Sequence, residues 1–305
     1  MDSFEKILEL ETTPEALEAS IDYLSRLIKP FLSTLEPVLI CFPEEGPASL
    51  GGLFKEAVLR CEAAPVFWGP TYTWMELLRL AFDTHANTVI GPPSAVLGLM
   101  KLANSTGTPL YVYDVIVSGD PFPRWMVNGL KKGLDCRVWG CYAVQSSPLV
   151  AGFSCEQEAG IHIREDVFMP ILHTDKKFGI NRGRLYFASS KNPDIIYDPE
   201  QFALVQHQPC SCGCDTQRVV ETRSVKQGSM SKETLEETLL TWSSVLDYRA
   251  TETESGMNLE IIAFPGELLP KFPTCAKLSV SYWNPQTDIP FYLQGQYLKI
   301  HENNP

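Results

Sequence analysis

Cys210, Cys212 and Cys214 fall within the five-residue run CSCGC, and Cys155 and His162 stand earlier in the chain with six residues between them. Thiolate and imidazole are the donors Zn²⁺ takes in tetrahedral sites, at about 2.0–2.3 Å. A Cys-x-Cys turn presents two thiolates to one ion, and a Cys-x6-His turn supplies two further donors. We read Cys155, His162, Cys210 and Cys212 as a candidate zinc set, with Cys214, His207 and His173 in reserve. The competing reading is a scatter of buried thiols plus a surface histidine. No open coordination position is evident in the pattern, so the expected role of the ion is structural. Glu165 and Asp166 in IREDVF have the composition of a general base, but an acid in a β-turn more often accepts bonds from its own backbone amides.

These side chains need a scaffold, and the composition describes an ordinary globular one. The 305 residues are 44% apolar and 20% charged, which excludes wholesale disorder, collagen-like repeats and a coiled-coil rod. A net charge of −12 repels phosphate backbones, so neither nucleic acid nor an anionic membrane is an expected partner. No apolar run approaches the ~18 residues of a membrane helix. The N-terminus, MDSFEKILELETT, has no signal-peptide pattern, and the nine cysteines read as cytoplasmic thiols rather than a disulfide framework.

Apolar spacing predicts helix over residues 1 to about 36, with Thr13 as a cap ahead of Pro14. From residue 38 short β runs alternate with helices. VLICF (38–42), PVFWG (65–69), TVIGPP (88–93), LYVYDVIVSG (110–119) and CRVWGCY (136–142) are the expected strands, with helices over about 49–62, 73–85, 94–103 and 123–132. Such alternation means a parallel-rich sheet covered by helices, with ligands at the carboxyl ends of its strands. The turns GPPS (91–94), SGDPFP (118–123) and YAVQSS (142–147) lie there. The fold class expected is therefore α/β. An α/β domain with an N-terminal helical segment (1–147) is followed by a β-rich subdomain carrying the metal set (148–228) and a small α+β domain (229–305).

Residues 118–172 carry SGDPFP, then YAVQS, FSC, GIHI and EDVFMP, and QPCSCGC follows at 208–214. In this order they resemble phenylacetate-CoA ligases, a branch of the adenylate-forming acyl-CoA synthetase superfamily, over roughly 38–230. The resemblance implies that the family's Cys, His, Cys and Cys fall on Cys155, His162, Cys210 and Cys212. It also implies that Gly119, Asp120, Pro121 and Tyr142 are remnants of a nucleotide site, and that Phe67, Trp68, Tyr72 and Trp74 line an acyl side, although large apolar residues at strand ends and helix starts are more often core. The family chemistry joins a carboxylate to AMP and then to coenzyme A, with Mg²⁺ on the nucleotide.

Set against that pattern, the charge-handling parts fail to appear. Only 37 residues precede Val38, and they hold no Ser/Thr/Gly-rich phosphate loop, so the chain reads as truncated relative to the family. The Gly-rich turn GPASLGG (46–52) has no lysine and reads as a plain strand–helix turn. Ser146 stands at the Mg²⁺-binding acid, Gln201 at the ribose aspartate and Gln296 at the catalytic lysine, with Asp198, Glu200 and Lys299 as shifted alternatives. Removing one oxyanion-type contact typically costs ~10²–10³ in rate. The expectation is a degenerate relative without adenylation activity, a zinc-stabilised binding or interaction protein for an aromatic acid or adenine nucleotide, assembling with itself or a protein partner. The alternative is an active ATP- and CoA-dependent ligase with rewired or partner-supplied residues.

Overall fold

The computed structural model describes residues 13–69, 72–119, 122–143, 150–157, 160–166, 168–173, 176–177, 180–190, 193–194, 196–224, 232–254, 256–272, 275 and 277–294. Helix α1 (Pro14–Ile28) begins where Thr13 and Pro14 predict it. The Thr13 side chain accepts from the Ala16 amide at 3.2 Å, and proline occupies the first turn, where its missing N–H costs nothing.

Four strand–helix steps follow. β1 (Pro37–Ile40) leads to α2 (Leu50–Arg60), β2 (Ala64–Phe67) to α3 (Trp74–Thr84), β3 (Thr88–Gly91) to α4 (Pro93–Thr106) and β4 (Asp114–Val117) to α5 (Arg124–Leu134). With β5 (Arg137–Ala143) they form a parallel array ordered β2-β1-β3-β4-β5. Alternate residues of each strand enter different cores. Leu39, Val89, Val115 and Val117 pack against α3, α4 and α5, whereas Val38, Ile40, Ile90 and Ile116 pack against α1 and α2. Burial on both faces is why these strands read as unbroken apolar runs.

The β-rich stretch continues this sheet instead of forming its own. β6 (Val150–Ser154) pairs antiparallel with β5, and the order runs on through β7 (Ile161–Ile163), β12 (Arg218–Ser224), β11 (Ile196–Gln206), β10 (Ile180–Ser189) and β8 (Phe168–His173), with β9 (Lys176–Lys177) attached to β10. One twelve-stranded sheet thus changes from parallel to antiparallel at β5. After it, α6 (Lys232–Leu240) and a three-stranded sheet of β13 (Val245–Thr253), β14 (Gly256–Ala263) and β15 (Lys277–Tyr282) complete the described chain. This C-terminal unit shares its core with the body. Leu235, Leu239, Phe264, Phe291 and Tyr292 belong to the same buried cluster as Trp68, Trp74 and Leu97. No helix among the described residues is long and apolar enough to cross a membrane.

Two expectations change in detail. The run LYVYDVIVSG forms a strand only over Asp114–Val117, because the Tyr113 amide is taken by the Asn87 carbonyl and Tyr111 and Tyr113 point to solvent. Helix α4 runs three residues past the expected Ala103, to Thr106, and ends at Gly107 with φ +69°.

Candidate functional site

The four candidate metal donors converge. The ligand atoms of Cys155, His162, Cys210 and Cys212 all lie within 4.8 Å of one another. Each arrives by a short, well-fixed route. Cys155 follows β6 directly, and His162 is the central residue of β7, paired on one side with Phe153 and on the other with Arg218. The turn 210–214 is closed by its own backbone. The Cys210 amide donates to the Cys214 carbonyl at 2.9 Å, and the Gly213 amide donates to the Cys210 carbonyl at 3.0 Å. Gly213 has φ +89°, a backbone region that side-chain-bearing residues rarely enter.

The spacing suits a tetrahedral ion. With Zn–S of about 2.3 Å and Zn–N of 2.0–2.1 Å, a tetrahedron has S···S edges of about 3.8 Å and S···N edges of about 3.6 Å. Cys155 Sγ and Cys210 Sγ are 3.7 Å apart, and Cys212 Sγ and His162 Nε2 are 3.5 Å apart. The electrostatics favour the forms that bind metal. The Cys212 backbone amide, helped by the Arg218 guanidinium, lowers the Cys210 thiol below its ordinary range. Burial, with the same guanidinium, lowers the His162 imidazole and favours its neutral form. Three thiols and one imidazole fill four positions, so an ion held here would cross-link the β6–β7 segment to the 210–214 turn.

The reserve ligands stand apart. Cys214 Sγ lies 3.2 Å from Thr216 Oγ1, outside the four-residue group, and His207 is exposed. The side chain of His173 is outside the described residues. Sequence reasoning missed Thr216, whose hydroxyl sits 3.3 Å from His162 Nδ1 and so orients the ring, and Arg218, which is buried and donates to the Gln208 carbonyl at 3.0 Å. The available signal was their place immediately after CSCGC.

Beside this region lies a cleft of about 410 Å³, walled by α5 on one side and by β5, β7 and β12 on the other. Phe122, Val138, Gly140, Tyr142, Ile161 and Val219 give it an apolar floor; Arg124, Lys131 and Glu221 are its charged lining residues. Tyr142 therefore reaches the cleft, and its hydroxyl donates to Gln201 Oε1 at 2.9 Å. Gly119 instead lies against Phe42 and Leu50. Asp120, Pro121, Ser146, Gln296 and Lys299 are outside the described residues.

Of the remaining sequence candidates, Trp68 and Trp74 are core residues, whereas Tyr72 and Glu165 are exposed. Trp68 and Trp74 are each 1% exposed, pack together with ring centroids 5.7 Å apart, and contribute to the core shared with the C-terminal unit. Asp198 pairs with Arg184 at 2.5 Å. Asp166 accepts from Arg164 Nε at 2.7 Å and Nη2 at 2.8 Å, a side-chain partner that the sequence reading did not name. Arg164 also donates to Ser20 Oγ of α1 at 3.1 Å and lies 4.9 Å from the centre of the Tyr23 ring.

No family profile and no curated protein matches the sequence. Solved structures do match. A 2-hydroxyisobutyryl-CoA ligase in the postadenylation state, in complex with R3-HIB-AMP, superposes with a TM-score of 0.67 at 12% identity over 92% of this chain and 69% of its own. The open conformation of that ligase, with 2-HIB-AMP and CoA, gives 0.59 at 14% identity over 90% and 69%. A benzoate CoA ligase from Burkholderia xenovorans LB400 gives 0.51 at 10% identity over 88% and 63%. At such identities the likeness establishes a common fold, that of adenylate-forming CoA ligases.

Proposed function

We propose that the chain is a degenerate relative of phenylacetate-CoA ligases, a zinc-bearing ligand-binding protein that does not adenylate carboxylates. The observation that carries this reading is the cleft at Tyr142. It keeps an aromatic and glycine floor of a size for a small ligand, while the residue bonded to Tyr142 is Gln201, a neutral amide where the resemblance expects a ribose-binding carboxylate. Glu221, on β12, is the one carboxylate in the described lining. A hydroxyl at Ser146 is a poor replacement for a Mg²⁺-binding acid, which removes a second charge-handling part by sequence. The ligands that suit the cleft are an adenine nucleotide or a small aromatic acid. The four donors at Cys155, His162, Cys210 and Cys212 form the zinc site of this reading, with a structural role. A cytoplasmic location and assembly with a second copy or a protein partner complete it.

The test is ATP–pyrophosphate exchange with phenylacetate and benzoates, run beside calorimetry with AMP. The expected result is no exchange above the blank, with AMP or an aromatic acid still bound. Robust exchange by the purified chain would replace this reading with that of an active, rewired ligase and direct attention to Asp198, Glu200 and Lys299.

A further inference from the structure

A second cavity, of about 430 Å³, shares no wall residue with the Tyr142 cleft, although α5 borders both, and holds none of the Cys/His donors. It sits where α4, α5 and the C-terminal unit meet. Leu97, Met100, Trp125 and Leu240 make its walls apolar; Lys101, Ser243 and Glu267 are polar. Lys101 belongs to α4 and is only 7% exposed. Its Nζ donates to the Trp242 carbonyl at 2.9 Å and to the Val245 carbonyl at 2.7 Å. A neutral amine has two N–H bonds and one lone pair. The two carbonyls take the two N–H bonds, so the lone pair is left for the remaining tetrahedral direction. An amine buried against a chamber of small-molecule size is placed as a nucleophile.

We propose that this cavity is a ligand site at which the Lys101 amine condenses with a small apolar aldehyde or ketone. The inference stands apart from the reading of the Tyr142 cleft. The nitrogen lone pair adds to the carbonyl carbon. A proton from solvent and one from the amine leave with the carbonyl oxygen as water, and a C=N⁺ bond forms that retains one N–H for a backbone carbonyl. No oxidant or reductant is consumed. The charged groups that act on Lys101 argue for a neutral electrophile over a carboxylate. Glu267, which accepts from Ser243 Oγ at 3.1 Å, is in the cavity wall, and the buried Asp247 of β13 lies behind. Glu267 would repel an anion, whereas burial raises the Asp247 carboxyl to about 7 and leaves much of it neutral. Burial also pushes the amine down to about 7, so much of it is neutral at physiological pH.

The experiment is reductive trapping. The purified chain is incubated at pH 7 with butanal and cyanoborohydride, and modified lysines are located by peptide mass spectrometry. We expect Lys101 to carry the butyl group at least about tenfold more than exposed lysines such as Lys132, which lies outside both chambers and has no cavity to hold the aldehyde. Lys101→Met should lose that adduct. Gly129→Leu supplies an independent check. Gly129 lines the cavity on α5, a Cβ there meets nothing within 4 Å, and leucine is the better helix former. Gly129→Leu should therefore fill the chamber, leave the circular dichroism spectrum intact and reduce labelling of Lys101 about tenfold. Labelling spread over surface lysines with Lys101 spared, or unchanged Lys101 labelling in Gly129→Leu, overturns the proposal.

Discussion

Two seams hold this molecule together across long stretches of sequence, and they use opposite physics. At the first, three thiols and an imidazole from the β6–β7 segment and the 210–214 turn meet at the edge lengths of a metal tetrahedron. There an ion would add one concentrated cross-link to the β7–β12 pairing and to the apolar cluster of Ala151, Ile161, Ile163 and Val219. At the second, the C-terminal unit joins the body through a continuous apolar core in which Trp68, Trp74 and Tyr292 pack ring against ring, with Lys101 bridging to the carbonyls of Trp242 and Val245. The first seam is concentrated in a few atoms and can be undone chemically. The second is spread over many side chains and can be undone only by repacking.

That contrast is open to direct attack. The largest effect is expected from Cys210→Ser, which should abolish metal content and cost more than about 5 kcal/mol, read by metal analysis and thermal unfolding on protein prepared without an affinity tag for metals. Chelation of the parent protein should reproduce the loss; unchanged stability after chelation would show that the first seam does not depend on an ion. Next comes Trp74→Ala, at 1% exposure, expected to cost about 3–5 kcal/mol. Because the core is shared, its circular dichroism and tryptophan fluorescence transitions should shift together, and early separate melting of the C-terminal unit would contradict the shared core.

A smaller effect should follow from Lys101. Its folded pKa of about 7 lies below the unfolded value of about 10.4, so the folded state binds fewer protons between those limits. Stability from this group therefore rises as pH rises through that window. Between pH 8 and 9.5 the gain should be about 2 kcal/mol, and Lys101→Met should flatten it; urea midpoints at the two pH values decide the point. The smallest effect belongs to Cys214→Ser. Its thiol faces Thr216 Oγ1 outside the cluster, so metal content should hold and stability should change by less than about 0.5 kcal/mol. Loss of metal in that variant, with metal kept in Cys210→Ser, would exchange the roles of the two cysteines.

The seams also differ in how far the sequence discloses them. The donor set is readable because its chemistry is stored locally: three cysteines in CSCGC and Cys-x6-His leave few competing explanations. The parallel array is readable for a similar reason, since unbroken apolar runs such as VLI and VIV record burial on both faces. Lys101 gives no such signal. In LGLMKLANS it reads as the polar position of an amphipathic helix, and only the segment at 242–245 makes it buried. Large aromatics at strand ends and helix starts are mostly core, and Trp68 and Trp74 keep to that rule because the C-terminal unit covers them. The alternation of LYVY resembles a strand, yet its tyrosines remain in solvent because the backbone there bonds a neighbouring turn.

The clasp of Arg164 on α1 has a consequence for the growing chain on the ribosome. Arg164 is separated from Ser20 by 144 residues, which at about 5–20 residues per second takes roughly 7–30 s to synthesise. Helix α1 has an earlier partner in α2, where Arg60 reaches Glu18 at 2.6 Å across 42 residues, an interval of roughly 2–8 s. An exposed ion pair of that kind contributes only about 0–1 kcal/mol. Helix α1 is thus tethered early by apolar packing on α2 and a weak electrostatic hold, and it receives its buried guanidinium only when Arg164 has been made, 144 residues after Ser20.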